Sequence, residues 1–173
     1  MSRAFTLLQL LIVVVMLSLL MSASTFAFLT LLKTWGSQDT SLEIQEDARQ
    51  GVERMLRDLR LARAILVSDD SIRYTVRESG TDVSYIFYLY HPSDPWGGAY
   101  TQSVYQLKRT TLSSTNLSTA SFSYGTGTIY VREVRSPPTS DMSVSGTVVT
   151  IDLTVSKADE TFHLLEKIRP RNL

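Results

Sequence analysis

Hydrophobic and polar positions divide the chain into one long apolar segment and a mixed remainder. No charged residue lies between Arg3 and Lys33, and residues 5–32 are mostly Leu, Val, Phe and Met with scattered Ser and Thr. A helix needs about 20 apolar residues to cross a bilayer, and this run is longer. The pattern predicts a transmembrane helix over residues 5–33 that continues beyond the membrane.

Residues 34–67 form a second segment with apolar positions at helical spacing. After a polar junction around Gly36, spacings of four and three alternate along one stripe, made of Ala48, Val52, Met55, Leu59, Ala62 and Leu66. We expect an amphipathic continuation of the helix that packs this stripe against a sheet. Thr40 and Glu43 have capping-box spacing, so a fresh helix start is an alternative.

The remaining residues, 68–173, show the period of two that is typical of strands. Strands are expected at 72–77, 83–90, 103–108, 118–124, 127–134, 146–155 and 161–168, with residues 125–127 as a hairpin turn. The connections are too short for crossover helices, which predicts a mainly antiparallel sheet. The expected fold class is therefore α+β, a long N-terminal helix packed on a mainly antiparallel β-sheet.

Composition argues against several functions. Lys+Arg and Asp+Glu are equal at 17 each, whereas a nucleic-acid-binding domain is usually basic, so no nucleic-acid partner is expected. The chain has no Cys and only two His, which leaves little for a metal site. No phosphate loop, dinucleotide fingerprint or nucleophile motif is present. We expect no enzyme activity, no cofactor and no metal.

One loop stands out for its residue types, and it contains His91, Asp94 and Trp96 beside Pro and Gly. It suits a plain turn, a partner-contact loop or a ligand site, and these alternatives stay open. Asp141 and Asp152 are acidic residues that could bind calcium, but the sequence lacks a dense cluster of oxygen ligands around them.

The N-terminus admits three interpretations. A cleaved secretory signal would have an apolar part of only about 7–15 residues, and an ordinary signal anchor is the second. The third rests on residues 2–11, Ser-Arg-Ala-Phe-Thr-Leu-Leu-Gln-Leu-Leu, which resemble the processing site of type IV prepilins and pseudopilins. Residues 46–60 are similar to the helix of J-type and W-type minor pilins, and residues 162–172 to their C-terminal strand.

The resemblance implies specific roles near the N-terminus. Residues 1–4 would be a leader, with Arg3 holding it in the cytoplasm and cleavage between Ala4 and Phe5, followed by N-methylation of Phe5. Ala4 stands where the family usually has Gly. Gln9 stands where most members carry the Glu that pairs with the N-terminal amine of a neighbouring subunit. The register between neighbouring subunits would therefore depend on Phe5 and a neutral Gln9.

The resemblance also implies a function and a location. The chain would be a minor pilin or pseudopilin, assembled at or near the tip of a pilus-like or type II secretion filament. It would begin as a single-pass protein of the bacterial inner membrane, N-terminus cytoplasmic and C-terminal domain extracytoplasmic. Its partners would be other pilins, prepilin peptidase, a platform protein and an assembly ATPase. Ser18 and Ser22 have the spacing for close helix packing. The alternative is a membrane-anchored extracytoplasmic binding domain or enzyme that does not polymerise.

Overall fold

A computed structural model of the chain describes residues 7–68, 71–157 and 160–171. Two compact units are present, the first ending at Thr40 and the second beginning at Ser41. The elements are helix α1 (Leu7–Arg60) and strands β1 (Ala64–Ser68), β2 (Ser71–Glu78), β3 (Thr81–Tyr90), β4 (Val104–Thr111), β5 (Thr128–Arg135), β6 (Asp141–Ser145), β7 (Val148–Lys157) and β8 (Glu160–Ile168).

The amphipathic part of helix α1 packs its apolar stripe on the sheet, as its spacing predicts. The stripe is buried from Ile44 onwards, in a core with the inner face of the sheet: Ile44, Ala48, Val52, Met55, Leu59 and Ala62. Burying a large aliphatic side chain stabilises the fold by about 1.5–3 kcal/mol, whereas helix propensity differs by less than about 1 kcal/mol between most residues. Packing therefore holds this part of the helix in place.

The helix ends at Arg60, so the predicted helix over 34–67 is wrong at its C-terminal end. Tight-turn hydrogen bonds follow, and the Arg63 N–H then donates to the Thr75 carbonyl, which starts pairing with β2. The run Ile-Leu-Val in β1 suits a strand because its side chains are mostly β-branched. Leu66 consequently leaves the helical stripe and packs on the opposite face of the sheet.

The strands form one curled antiparallel sheet, which confirms the predicted α+β class and the antiparallel pairing. The order is β1-β2-β3-β4-β5-β7-β6, with β8 also on β7. Residues 149–152 of β7 pair with both β6 and β8, and Val155 pairs with both β5 and β8. Since a strand has two edges, β5 and β6 share one edge of β7 and β8 takes the other.

The pattern missed two short strands, β1 and β6, and placed a strand at 118–124 that the structure does not have. Residues 112–127 instead form a long connection between β4 and β5, so the hairpin prediction at 125–127 is also wrong. The Arg73 guanidinium on β2 donates to the carbonyls of Leu117 and Ala120, at 2.8 and 3.1 Å. These bonds fold the segment over the outer face of the sheet.

Side chains alternate between two apolar clusters across β3. Phe87 and Leu89 face the helix, while Ile86 and Tyr88 face the opposite side. The second cluster is covered by Leu112, Leu117 and Ala120 of the connection, with Trp96, Phe122 and Tyr124 packed around it. Both faces of the central strands are therefore buried, which explains the nearly continuous apolar run at 83–90.

Candidate functional site

The first candidate site is the apolar part of helix α1. A stretch of 27 residues, Gln9–Trp35, is long and apolar enough to cross a membrane, and none of it is buried within the structure. At 1.5 Å per residue it extends about 40 Å, against a hydrocarbon core of about 30 Å. Large side chains such as Phe26 and Leu20 are well over half exposed. This surface requires lipid or another apolar partner.

The hydroxyl groups of Ser18, Ser22, Thr25 and Thr30 in this helix are satisfied by its own backbone. Ser18 donates to the Val14 carbonyl at 2.6 Å and Ser22 to the Ser18 carbonyl at 2.8 Å. Thr25 and Thr30 do the same one turn back, each at 2.9 Å. An unsatisfied hydroxyl is costly in an apolar medium. Intrahelical bonding makes this helix compatible with lipid in spite of its polar residues.

The residues assigned to processing fall at the start of the chain. Arg3, Ala4 and Phe5 lie outside the described residues, so the predicted cleavage and methylation stay predictions. Gln9 lies near the beginning of helix α1 with an exposed side chain, and Ser18 and Ser22 are exposed on the same helix. Among the described residues, no other helix packs on these two serines.

The second candidate site is the loop that joins β3 to β4, where Asp94 is buried by its neighbours. Thr101 donates to the carboxylate twice, through its hydroxyl and through its N–H at 3.0 Å, and the Tyr105 hydroxyl also donates to it. The bonds from Thr101 and Tyr105 outweigh desolvation and lower the pKa of Asp94 to about 2. Burial, and then the bond to Asp94, raises the pKa of Tyr105 to about 12.

His91, Asp94 and Trp96 share this loop but do not converge on one point. The His91 Nδ1 accepts the Ser93 N–H at 3.2 Å, and its ring meets Tyr105 edge-on. Trp96 packs edge-on against Phe122 and Tyr88, with centroids 4.8 and 5.9 Å apart. His91 and Asp94 therefore both contact Tyr105, whereas Trp96 packs on a separate group of aromatic rings.

A cavity of about 320 Å³ opens beside this loop. Its lining includes Asp94, Trp96, Tyr100 and Tyr124. Phe122 and Tyr124 come from the 112–127 connection, whose aromatic residues the sequence pattern assigned to a strand. The loop therefore belongs to an aromatic cluster built from two connections, a relationship that only long-range packing could create.

Sequence reasoning also missed a polar network where helix α1 meets the sheet. The Tyr130 hydroxyl donates to the Asp58 carboxylate at 2.8 Å, and the Arg109 guanidinium lies 3.4 Å from the same carboxylate. Arg109 also donates to the Tyr74 hydroxyl at 2.7 Å and stacks over Tyr85 at 3.7 Å. Asp58 looked like one of many charges on a solvated helix face, and nothing in its spacing distinguished it.

The two acidic residues that the sequence offers as calcium ligands lie on β6 and β7. Asp141 and Asp152 are register partners, and Asp152 lies 2.6 Å from the Nε2 of His163. Within the part of the chain that the structure describes, no group of three His, Cys, Asp or Glu residues could hold a metal ion. Two carboxylates alone fall short of the six to eight oxygens that calcium takes.

Comparison with protein-family models, with curated proteins and with solved structures finds no match to this chain.

Proposed function

We propose that this protein is a minor subunit of a type IV pilus-like or type II secretion filament. The observation that carries the proposal is the apolar helix Gln9–Trp35, exposed along its length and preceded by an N-terminus that resembles a prepilin processing site. The helix is held in the bilayer before assembly. It then joins a bundle of similar helices, while the domain from Ser41 onwards remains outside the inner membrane.

The solvation of the helix explains why both environments suit it. Moving apolar surface into water costs about 25 cal/mol per Å², so the helix cannot leave the lipid unless neighbouring helices cover it. Its backbone and the hydroxyl groups of Ser18, Ser22, Thr25 and Thr30 are bonded internally, which suits lipid and a dry helix bundle equally. Prepilin peptidase would remove residues 1–4, and a platform protein with an ATPase would drive the transfer into the filament.

Gln9 favours a particular position of the subunit within the filament. A buried charge is tolerable only when paired, and the neutral Gln9 amide accepts a hydrogen bond from an amine without neutralising it. A position at or near the filament tip, where the usual charge pairing is dispensable, fits this residue better than the middle of a filament.

N-terminal mass analysis tests the proposal on the full chain extracted from its membrane. A chain that begins at Phe5 and carries one added methyl group is expected. A chain that keeps Met1, or one cleaved after the apolar run, contradicts processing by prepilin peptidase. It favours a membrane-anchored binding domain instead, for which the cavity beside Asp94 and Trp96 is the specific supporting observation.

Helix packing gives a second test that does not depend on processing. Replacing Ser22 by Leu removes the small face that it shares with Ser18. We expect several-fold less of this variant in sheared filaments and unchanged amounts in the membrane. Ser24→Leu is the matched control because it adds the same bulk on another side of the helix. Equal incorporation of the two variants would exclude a packing role for the Ser18–Ser22 face.

A further inference from the structure

Strand β8 is an open edge of the sheet. It is nine residues long, Glu160–Ile168, and pairs with β7 on one side. Among the described strands none hydrogen-bonds to its other side. Every second residue of an edge strand directs its N–H and C=O outwards, and such an edge is a template for another strand. The opposite edge strand, β1, approaches β6 instead.

A groove separates this edge from helix α1. Phe162 and Leu164 are opposite the buried residues Val155 and Leu153 of β7, so they face the helix side of the sheet. Both remain half-buried, as does Leu56 on the helix. The space between them has a volume of about 220 Å³ and is lined by Arg49, Val52, Glu53, Leu56, Phe162, Leu164 and Glu166. Three partly buried apolar side chains at the border of the core therefore remain accessible to solvent along β8.

Charge defines one end of the groove. Arg49 and Glu53 are paired with each other at 3.3 Å on the helix. Glu166 is the next residue on the inward-facing side of β8 after Leu164, opposite Ile151, and within the described residues it has no ion-pair partner. A basic side chain next to Glu166 would complete the charge balance of the groove.

We propose that the β8 edge and this groove bind an extended segment of a partner protein as an additional antiparallel strand. The segment would have apolar side chains at alternating positions, facing Phe162 and Leu164, and a Lys or Arg opposite Glu166. Main-chain hydrogen bonds supply such a partner's affinity and the alternating side chains supply its specificity. This site is separate from the apolar N-terminal helix and does not depend on the proposed filament function.

A designed peptide tests the proposal. The probe is fluorescein-labelled Val-Thr-Lys-Thr-Val-Thr-Val-Thr-Lys, whose first lysine is opposite Glu166 when the peptide runs antiparallel to β8. Titration of the full chain in detergent micelles, followed by fluorescence polarisation, should give saturable binding. A scrambled peptide of the same composition should bind at least tenfold more weakly. Equal binding of both peptides, or none at millimolar protein, overturns the proposal.

Methylation of the peptide backbone distinguishes pairing with β8 as a strand from non-specific binding of the peptide. Methylating the amides of the even-numbered peptide residues, or of the odd-numbered ones, blocks donors on one edge of the strand only. One of these two peptides should lose at least tenfold in affinity and the other should keep it. Equal affinities of the two would show that the peptide does not pair as a strand.

Charge reversal locates the site. Glu166→Lys should weaken binding about fivefold, and a peptide with Glu in place of its first lysine should recover it. Lys167→Glu is the matched control, because it reverses a charge on the adjacent residue of the same strand but on the opposite face. Equal responses of the two variants place the peptide elsewhere and overturn the assignment.

A second copy of the chain is the competing occupant. The protein has no cysteine, so Leu165→Cys introduces a single thiol into the exposed part of β8. If this variant forms disulfide-linked dimers under mild oxidation and the peptide does not bind, β8 serves contact between copies and the proposal of a distinct partner is wrong. A monomer that binds the peptide supports it.

Discussion

Gly51 of helix α1 lies directly against the backbone of Tyr130 in strand β5. A Cβ atom built on Gly51 would be 2.1 Å from the Tyr130 carbonyl oxygen and 2.4 Å from the Cγ2 of Val131. In isolation a glycine within a helix costs up to about 1 kcal/mol relative to alanine. Here it lets the helix approach the sheet closely, which explains why a glycine lies on the buried face of the helix.

Gly51→Ala should therefore destabilise the second unit in spite of its better helix propensity. Overpacking a tight contact costs about 1–3 kcal/mol, and backbone atoms cannot move aside as a flexible side chain would. The measurement is urea unfolding of the full chain in detergent, followed by Trp96 fluorescence in a Trp35→Phe background. Gln50→Ala, on the exposed neighbour, should change the free energy of unfolding by less than about 0.5 kcal/mol. A stabilised Gly51→Ala variant would contradict the close contact.

The Asp94 carboxylate should make the loop between β3 and β4 sensitive to acid. Its hydrogen bonds from Thr101 and Tyr105 lower the pKa of Asp94 to about 2 in the folded chain. The pKa of an aspartate in the unfolded chain is near 4. Because folding lowers the pKa of Asp94, its carboxylate stabilises the fold fully above pH 4, and this stabilisation is lost as pH falls through the folded pKa. We expect the Trp96 emission to change between pH 4 and pH 2, reporting release of the loop.

Asp94→Asn tests that assignment. The amide does not ionise, so its Trp96 emission should stay constant over the same pH range. Asp82→Asn serves as the control because Asp82 lies on β3 in a half-exposed pair with Arg63, at 4.0 Å. An acid transition in Trp96 emission that persists in Asp94→Asn would show that another group controls the loop.

Tyr130 should limit stability at high pH. Burial, followed by its hydrogen bond to Asp58, raises the pKa of Tyr130 to about 12. Because the fold favours the neutral hydroxyl, this stabilisation is complete below the unfolded pKa, near 10, and is lost as pH rises through the folded value. Tyr130→Phe should lower the free energy of unfolding by about 1 kcal/mol at pH 7. Above pH 10 the free energy of unfolding of Tyr130→Phe, measured by urea unfolding, should fall less steeply than that of the wild type. An identical alkaline decline would exclude Tyr130 as its source.

Gln9→Glu tests the proposed position in a filament. The new carboxylate can neutralise the N-terminal amine of a neighbouring subunit, which Gln9 cannot. We expect the variant to spread along sheared filaments where the wild type stays at the ends, as seen by gold labelling of the domain after Ser41. Gln38→Glu adds the same charge outside the apolar run and is the control. Unchanged distribution of the Gln9→Glu label would remove the argument for a special position.

The sequence by itself determined the elements whose signal is local. The charge-free run up to Lys33 and the stripe from Ala48 to Leu59 could be identified because apolar periodicity reports which surface must leave water. Most strands were predicted for the same reason. The end of the helix was not predicted correctly. The sequence of residues 64–68 is compatible with a helix or a strand, and it forms a strand because it pairs with β2.

Tertiary structure alone decided the rest. Residues 118–124 alternate like a strand, yet the hydrogen bonds from Arg73 to the carbonyls of Leu117 and Ala120 hold this segment as a covering loop. The partners of Asp58 lie far along the chain in β4 and β5. The open edge of β8 exists only because the other strands have paired elsewhere. Local patterns encode burial, whereas the choice among distant partners depends on the free energy of the whole packed sheet.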